Sequence, residues 1–142
     1  MSASVAQAAV LPADSTALLW LEARTGCVLT RDARGLCHRN RAGLVRGVVA
    51  YDYWTEASCQ VHFAFASPIA LRHLLKPGFR YPFLETNRQL LLGFIRESNG
   101  HSVKHAKHLG FKLGRHIQDG WAPGEALLLL EMRRRDCRWL EA

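Results

Sequence analysis

The segment from Gln89 to Phe111, QLLLGFIRESNGHSVKHAKHLGF, constrains the possible folds more than any other part of the chain. It begins with an apolar run, Leu90 to Ile95, that is typical of a buried strand. A polar break at Glu97-Ser98-Asn99-Gly100 separates this strand from a short helix, which we expect from about Ser102 to Leu109. Because the strand leads directly into a helix, the segment predicts a mixed α/β fold.

Further strands and helices are predicted around this unit. Leu44 to Tyr53 and Cys59 to Ala66 are rich in β-branched and aromatic residues, so we expect them to form a hairpin. Ser67-Pro68 is a favoured helix start, and the helix is expected from about Ile69 to Leu75, ending at Lys76-Pro77-Gly78. A last strand is expected over Ala126 to Met132.

The remaining segments are less strongly patterned. Residues 1 to about 15 are expected to be a loose arm, and Ala17 to Ala23 fits either a strand or a helix. Cys27 to Arg31 and Gly35 to Arg39 are expected to be short extended pieces. Lys112 to Ile117 is expected to end in a turn at Gln118-Asp119-Gly120.

Composition limits the class of protein. The 142 residues suffice for one domain with a real core, and 49% hydrophobic and 22% charged residues are ordinary for a globular protein. The net charge of +7 favours an acidic ligand such as a phosphorylated cofactor, an acidic protein face or nucleic acid, although a solvated basic surface explains it equally well.

Features expected of an exported or membrane protein are absent from the sequence. The four cysteines form no Cys-x-x-Cys pair, and the N-terminus lacks the pattern of a signal peptide. The longest apolar run, Ala126 to Leu130, is too short to span a bilayer. We therefore expect a cytoplasmic protein with reduced thiols and no membrane partner.

Asn99-x-x-Ser102 and Leu109-Gly110-Phe111, placed after the buried strand, resemble the Gcn5-related N-acetyltransferase (GNAT) family. The resemblance implies a single domain over residues 1–142, with a central mixed sheet, flanking helices and a cleft for acetyl-coenzyme A. Three further segments look like small GNAT-like proteins encoded in bacteriophage and prophage genomes: Ala50 to Thr55, Asp119 to Gly124 and Glu131 to Leu140. The two helices that normally follow the first GNAT strand are expected to be reduced or absent.

The same resemblance implies a set of cofactor-binding residues. The family binds the coenzyme A pyrophosphate where the strand ending at Ala66 meets the next helix, and a helix N-terminus suits a phosphate. This chain lacks the glycines of the family signature at that junction. The residues implied are Phe63, Ala64, Phe65, Ala66, Ser67, Ile69, Ala70, Arg72, Asn99 and Ser102. The alternative is that Ser67 and Asn99 are only helix caps.

Two histidines are the candidate catalytic residues. Many GNAT enzymes carry a proton-donating tyrosine at the position of Ala106, so that role cannot be transferred to this chain. His105, its neighbour, could donate a proton from another direction on the helix. His62, in the middle of a strand, could take a proton from an amine. The alternative for His62 is a hydrogen-bonded core residue.

Two basic segments suggest other ligands. His101, His105 and His108 share one helical face and could bind a metal, but the interleaved Lys104 and Lys107 favour a solvated basic face and no metal site. The same face could meet the 3′-phosphate of coenzyme A. The tail from Arg133 to Trp139 could contact phosphates of nucleic acid, although Trp139 is better explained as an anchor for the chain end.

Taken with the resemblance, these patterns predict an acetyl-CoA-dependent N-acetyltransferase that acts on a primary amine of a small molecule or a protein. A homodimer is possible, and nucleic acid is disfavoured as a partner. Two alternatives stay open: a non-catalytic GNAT-like module of phage origin that binds acyl-CoA or a partner, and a basic nucleic-acid-binding protein. The absent tyrosine and glycines favour the first of these alternatives.

Overall fold

A seven-stranded mixed sheet organises residues 10–141, the part of the chain that the computed structural model describes. The strands are β1 (Val10–Pro12), β2 (Arg34–Arg39), β3 (Val45–Asp52), β4 (Ser58–Phe65), β5 (Leu90–Arg96), β6 (Lys112–Ala122) and β7 (Glu125–Arg133). The helices are α1 (Ser15–Thr25), α2 (Pro68–Arg80) and α3 (Gly100–Leu109). The strand order is β1-β2-β3-β4-β5-β7-β6, and this arrangement confirms the predicted mixed α/β class.

The pairing of β4 with β5 is parallel and short. All other neighbouring strands in the sheet are antiparallel. The parallel pair is in register only from Ser58 opposite Leu90 to Gln60 opposite Leu92. Beyond those positions the two strands separate, although each stays paired to its outer neighbour, so the sheet opens into a wedge.

The two faces of the sheet carry separate apolar clusters, because successive strand side chains point to opposite faces. On one face, Tyr51 and Leu91 pack with side chains of α2 and α3 in the larger cluster. On the other, Ala17 and Leu21 of α1 pack with Val48 in the smaller one. Between β1 and β2 the chain forms α1 alone, which agrees with the expected reduction of the N-terminal helices.

Helix α2 is longer than predicted and contains Pro77, which was expected to end it. Proline in a helix interior removes one backbone hydrogen bond and usually breaks the helix. Here the second half of the helix is held by tertiary contacts: a Cβ added at Gly78 would already lie 3.5 Å from Cγ2 of Val49, the Tyr51 hydroxyl donates to the Gly78 carbonyl, and Phe79 is buried. A π-helical turn, Tyr81–Glu85, follows directly.

The N-terminal predictions were partly wrong. Val10–Pro12 pairs with β2 and so belongs to the sheet, while residues 1–9 of the expected loose arm lie outside the described part. The ambiguous Ala17 to Ala23 is helical, because Asp14 caps the helix by accepting a hydrogen bond from Ala17 N at 2.9 Å. Cys27 to Arg31 is not a strand, since it pairs with no neighbour.

The C-terminal hairpin also differs from its prediction in one detail. The turn expected at Gln118-Asp119-Gly120 is an irregularity within β6, and the chain reverses at Pro123-Gly124 instead. Asp119 stabilises that turn by accepting a hydrogen bond from Gly124 N at 2.8 Å. Trp139 anchors the chain end as predicted: its indole N–H donates to the Leu109 carbonyl at 2.8 Å.

Candidate active site

The wedge between β4 and β5 opens into a cleft with a volume of about 1370 Å³. The second halves of both strands form its walls, because neither has a neighbour on the side that faces the other. Residues that follow the two strands, at the starts of α2 and α3, extend the lining. The end of α1 and the residues directly after it, Arg24 to Cys27, complete the lining.

Most of the predicted cofactor-binding residues line this cleft. They are Phe63, Ala64, Phe65, Ala66, Ser67, Asn99 and Ser102. Three others do not line it. Ala70 is fully buried against β3, whereas Ile69 and Arg72 are exposed to solvent beside the cleft.

Two helix N-termini lie at the cleft and are capped as their sequences predict. Ser67 accepts a hydrogen bond from Ala70 N at 3.2 Å, and Asn99 accepts one from Ser102 N at 3.3 Å. The first turn of any helix keeps further N–H groups without helical partners. Both ends therefore still offer donors and the positive end of a helix dipole to an anion in the cleft.

The rim of the cleft is basic. Its charged lining residues, Arg24, Arg96 and Lys104, are all cations, and His101 and His108 add two imidazoles. Among the described residues that line it, there is no carboxylate. The cleft therefore suits a ligand with phosphates.

His105 lies on the α3 wall of the cleft. Its ring meets Phe63 and Phe65 edge-on, at centroid distances of 5.8 and 6.4 Å. Burial lowers the pKa of His105, and the neighbouring His101 and His108 lower it further. His105 is therefore mainly neutral at physiological pH.

His62 also lines the cleft, from the face of β4 opposite to that of Phe63. Its Nε2 is 2.8 Å from Oδ1 of Asp52, whose side chain is fully buried. Burial lowers the pKa of His62, but the hydrogen bond and charge of Asp52, together with Cys27, outweigh this and raise it to about 9. At neutral pH His62 is therefore a protonated imidazolium, so it cannot begin a reaction as the predicted general base.

Cys27 is the third member of this group, and it also lines the cleft. Burial raises the pKa of the Cys27 thiol, but the influence of His62 and the hydrogen bond from Thr25 prevail, so the pKa is lowered. Thr25 Oγ1 lies 3.0 Å from the sulfur. In contrast, burial raises the pKa of each of the other thiols, Cys37, Cys59 and Cys137.

Sequence reasoning identified His62 but missed Asp52 and Cys27. The contact of Asp52 with His62 could have been predicted from the sequence. In the hairpin Asp52 lies opposite Gln60, and His62 is two residues further along the same strand face, so Asp52 and His62 are diagonal neighbours. The position of Cys27 could not have been predicted in this way, because it lies in an irregular segment after α1.

Other predicted ligand types can be compared with the structure. Within residues 10–141, no group of three or more His, Cys, Asp or Glu side chains is close enough to hold a metal ion, which includes the three histidines of α3. Over the same residues, no helix has the length and apolar character needed to cross a bilayer.

Several solved structures share this architecture. A mutant form of the spermidine/spermine N-acetyltransferase SpeG from Vibrio cholerae superposes with a TM-score of 0.72 at 10% identity, covering 89% of this chain and 94% of that chain. Another SpeG mutant gives 0.72 at 11% identity, covering 94% and 98%. This chain has the GNAT fold.

A third similar structure is described as a dodecameric, intermediate state of the same Vibrio cholerae enzyme, with a TM-score of 0.69 at 10% identity, covering 89% of this chain and 95% of that chain. No protein-family model matches the chain, and no curated protein sequence matches it significantly. At these identities the likeness shows the GNAT fold and nothing finer. The expected phage or prophage origin finds no support in it.

Proposed function

We propose that this protein is an acetyl-CoA-dependent N-acetyltransferase whose cofactor binds in the cleft between β4 and β5. The observation that carries the proposal is the separation of these two parallel strands after Gln60 and Leu92. It leaves unpaired backbone on the inner edge of each strand, within an otherwise continuous sheet. A pantetheine chain carries amides that can pair with such an edge.

The residues present fit the rest of the cofactor. The N-termini of α2 and α3, capped by Ser67 and Asn99, supply donors for the pyrophosphate. Lys104 and Arg96 supply charge for the remaining phosphate. The missing family glycines are compensated by the short junction itself, because Ala66 and Ser67 have small side chains that permit close approach.

When bound, acetyl-CoA supplies an activated acetyl thioester. The unpaired backbone N–H groups on the open edge of β4 would polarise its carbonyl, and the walls of the cleft would hold it in position. His62, as an imidazolium, is suited to protonate a leaving thiolate. His105 is neutral and faces Phe63 and Phe65, so we assign it to packing of the α3 wall rather than to proton transfer.

The charge of the cleft also bears on the acceptor. SpeG is named for spermidine and spermine, which are polycations. The cleft described here has cationic and imidazole groups at its rim and no carboxylate in the described part of its lining. We therefore propose an acceptor amine that carries little positive charge besides its reacting group, on a small molecule or a protein. A homodimer stays a prediction for this chain.

Two measurements test the proposal. Calorimetry and thermal unfolding with acetyl-CoA should show binding and stabilisation, because a ligand that binds the native state alone raises its stability. Release of free coenzyme A should then be followed with a panel of primary amines that includes spermidine and neutral or acidic amines. We expect turnover with the latter group. Binding without turnover on any amine would favour a non-catalytic acyl-CoA-binding module, and no binding would refute the proposal.

A further inference from the structure

The backbone of Ala66, where β4 ends at the cleft, is held through both its N–H and its carbonyl by one residue, Arg46. Arg46 lies on β3, one position beyond the last registered pair, Gly47 with Phe65. The amide N–H of Ala66 donates to the Arg46 carbonyl at 2.7 Å. In return, Nη2 of the Arg46 side chain donates to the Ala66 carbonyl at 3.2 Å. The guanidinium thus makes a bond that a backbone N–H makes in a regular antiparallel pair.

These bonds decide which polar groups the junction between β4 and α2 presents to the cleft. Because β3 and β5 lie on opposite sides of β4, a carbonyl bonded to Arg46 is directed away from the gap between β4 and β5. The backbone N–H groups of Ser67 and Ile69, in contrast, have no hydrogen-bond acceptor among residues 10–141. The junction therefore keeps its donors free while the Ala66 carbonyl is already occupied, and this combination suits an anion.

Arg46 also brings a positive charge to the junction. Its side chain is half-buried, and no carboxylate within residues 10–141 forms an ion pair with it. Arg39 on β2 differs in this respect, since it pairs with Asp14 at 3.0 Å. A guanidinium that has no carboxylate partner leaves its charge to act on a nearby phosphate, and partial burial reduces the screening of that charge by salt.

We propose that Arg46 is a positioning residue for the pyrophosphate of the cofactor: it holds the Ala66 carbonyl away from the phosphates and adds a positive charge beside the junction. The proposal rests on the proposed function, because it assumes that acetyl-CoA binds in this cleft. It goes beyond that function by assigning a role to a residue of β3 that does not line the cleft. Arg46 acts through Ala66 and makes no contact of its own with the cofactor.

Loss of the Arg46 side chain would oppose phosphate binding for two reasons. The Ala66 carbonyl would lose its partner, and an acceptor without a partner is unfavourable where water has limited access. If this carbonyl turned toward the cleft, its oxygen would repel the phosphate oxygens, because both groups are hydrogen-bond acceptors. The favourable charge beside the junction would be lost as well.

The first test compares Arg46→Met with Arg39→Met by calorimetry with acetyl-CoA. Methionine keeps an unbranched apolar chain but removes the charge and the donors. Arg39→Met is the matched control, since Nη1 of Arg39 also donates to a carbonyl, that of Gly43 at 2.9 Å, and Arg39 does not line the cleft. We expect Arg46→Met to weaken binding about tenfold, in line with the loss of a hydrogen bond from a charged group, and Arg39→Met to leave it unchanged.

Further ligands and salt separate a role at the pyrophosphate from general support of the fold. Dephospho-coenzyme A keeps the pyrophosphate, so Arg46→Met should weaken its binding as much as that of acetyl-CoA. Pantetheine has no phosphate, so millimolar pantetheine should raise the melting temperatures of Arg46→Met and the wild type equally. Rising salt should narrow the tenfold difference in acetyl-CoA affinity, because it screens charges. Arg46→Lys should recover most of the affinity, because it keeps the charge and a donor.

The outcomes distinguish this proposal from the proposed function. Equal acetyl-CoA affinity in Arg46→Met and the wild type would overturn the role of Arg46 and leave the acetyltransferase intact. A loss that is as large for pantetheine and does not change with salt would also overturn it, because Arg46 would then only support the fold. Where pantetheine binding is too weak to measure, the salt dependence decides. If Arg46→Met does not fold, Arg46→Gln replaces it in each comparison. Failure of the wild type to bind acetyl-CoA would overturn the proposed function itself.

Discussion

At the scale of single residues, the strongest constraint is the buried ion pair of His62 with Asp52. The pKa of His62 is about 9 in the folded protein, against 6.5 for a histidine free of such neighbours, the value expected in the unfolded chain. Because the folded pKa is raised, the stability that His62 contributes is fully present below pH 6.5 and is lost as pH rises through about 9. The two pKa values set an upper limit of about 3 kcal/mol on this contribution.

We therefore expect the gap in unfolding free energy between a protein with His62 and a His62→Gln variant to shrink across this pH range. The thiol of Cys27 has a lowered pKa and the opposite pH dependence, so both proteins should carry Cys27→Ala. In that background only Asp52 raises the pKa of His62, so the difference in unfolding free energy should be smaller than the upper limit of about 3 kcal/mol. Urea unfolding at a series of pH values measures it. A gap that stays constant with pH would contradict the assignment.

For this pair, the sequence could predict the position of His62 but not its chemical role. His62 was identifiable because a strand was evident and its position in that strand was central. Its role was not, because a pKa depends on neighbours from β3 and from the segment after α1. The general-base role predicted for it assumed an ordinary pKa. That assumption does not hold, because the buried carboxylate of Asp52, 2.8 Å from Nε2 of His62, raises the pKa of His62.

At the scale of secondary-structure elements, the close approach of α2 to the sheet depends on Gly47. A Cβ added there would lie 2.9 Å from Cβ of Ala70 and 3.0 Å from Cδ1 of Leu74, both on the buried face of α2. We expect Gly47→Ala to lower the unfolding free energy by about 1–3 kcal/mol, as overpacking usually does. Gly100→Ala is the control, because a Cβ there meets nothing within 4 Å. Equal stability of the two variants would refute this account.

The cap of α3 provides a second prediction at this scale. Asn99→Ala removes the side-chain acceptor for Ser102 N and should cost about 1 kcal/mol of stability. Asp14→Ala removes the cap of α1 by the same principle, but Asp14 lies outside the cleft lining. Both should lower the melting temperature, whereas only Asn99→Ala should weaken acetyl-CoA binding. Calorimetric affinity unchanged in Asn99→Ala would make Asn99 a cap alone.

The elements themselves were largely predictable, since strands such as Val45–Asp52 and the segment from β5 to α3 follow strong local patterns. The boundaries that failed were decided by tertiary contacts. Helix α2 continues past Pro77 because Gly78 and Phe79 pack on the sheet, and no local rule contains that packing. The family resemblance implied a cleft, but the separation of β4 and β5 that forms it was not predicted, because strand separation leaves no periodic pattern in a sequence.

At the scale of the whole molecule, the net charge of +7 was readable from composition, but its placement was not. Cations line the cleft rim while exposed ones such as Lys76 lie elsewhere, so only some of the charge can act on a ligand in the cleft. Long-range attraction between exposed charges is weak at physiological salt, because it is screened within about 8 Å. The positions of the cations at the cleft should therefore matter more for the affinity for acetyl-CoA than the net charge of the protein.

A pair of charge reversals tests this distinction. Lys104→Glu and Lys76→Glu change the net charge equally, but Lys104 lines the cleft and Lys76 does not. We expect Lys104→Glu to weaken acetyl-CoA binding about fivefold, in line with about 1 kcal/mol for an exposed charge contact, and Lys76→Glu to have little effect. With dephospho-coenzyme A the difference between the variants should narrow, since the 3′-phosphate is the group that Lys104 is expected to meet. Equal weakening by both reversals would mean that overall charge attracts the cofactor and that the rim makes no specific contact.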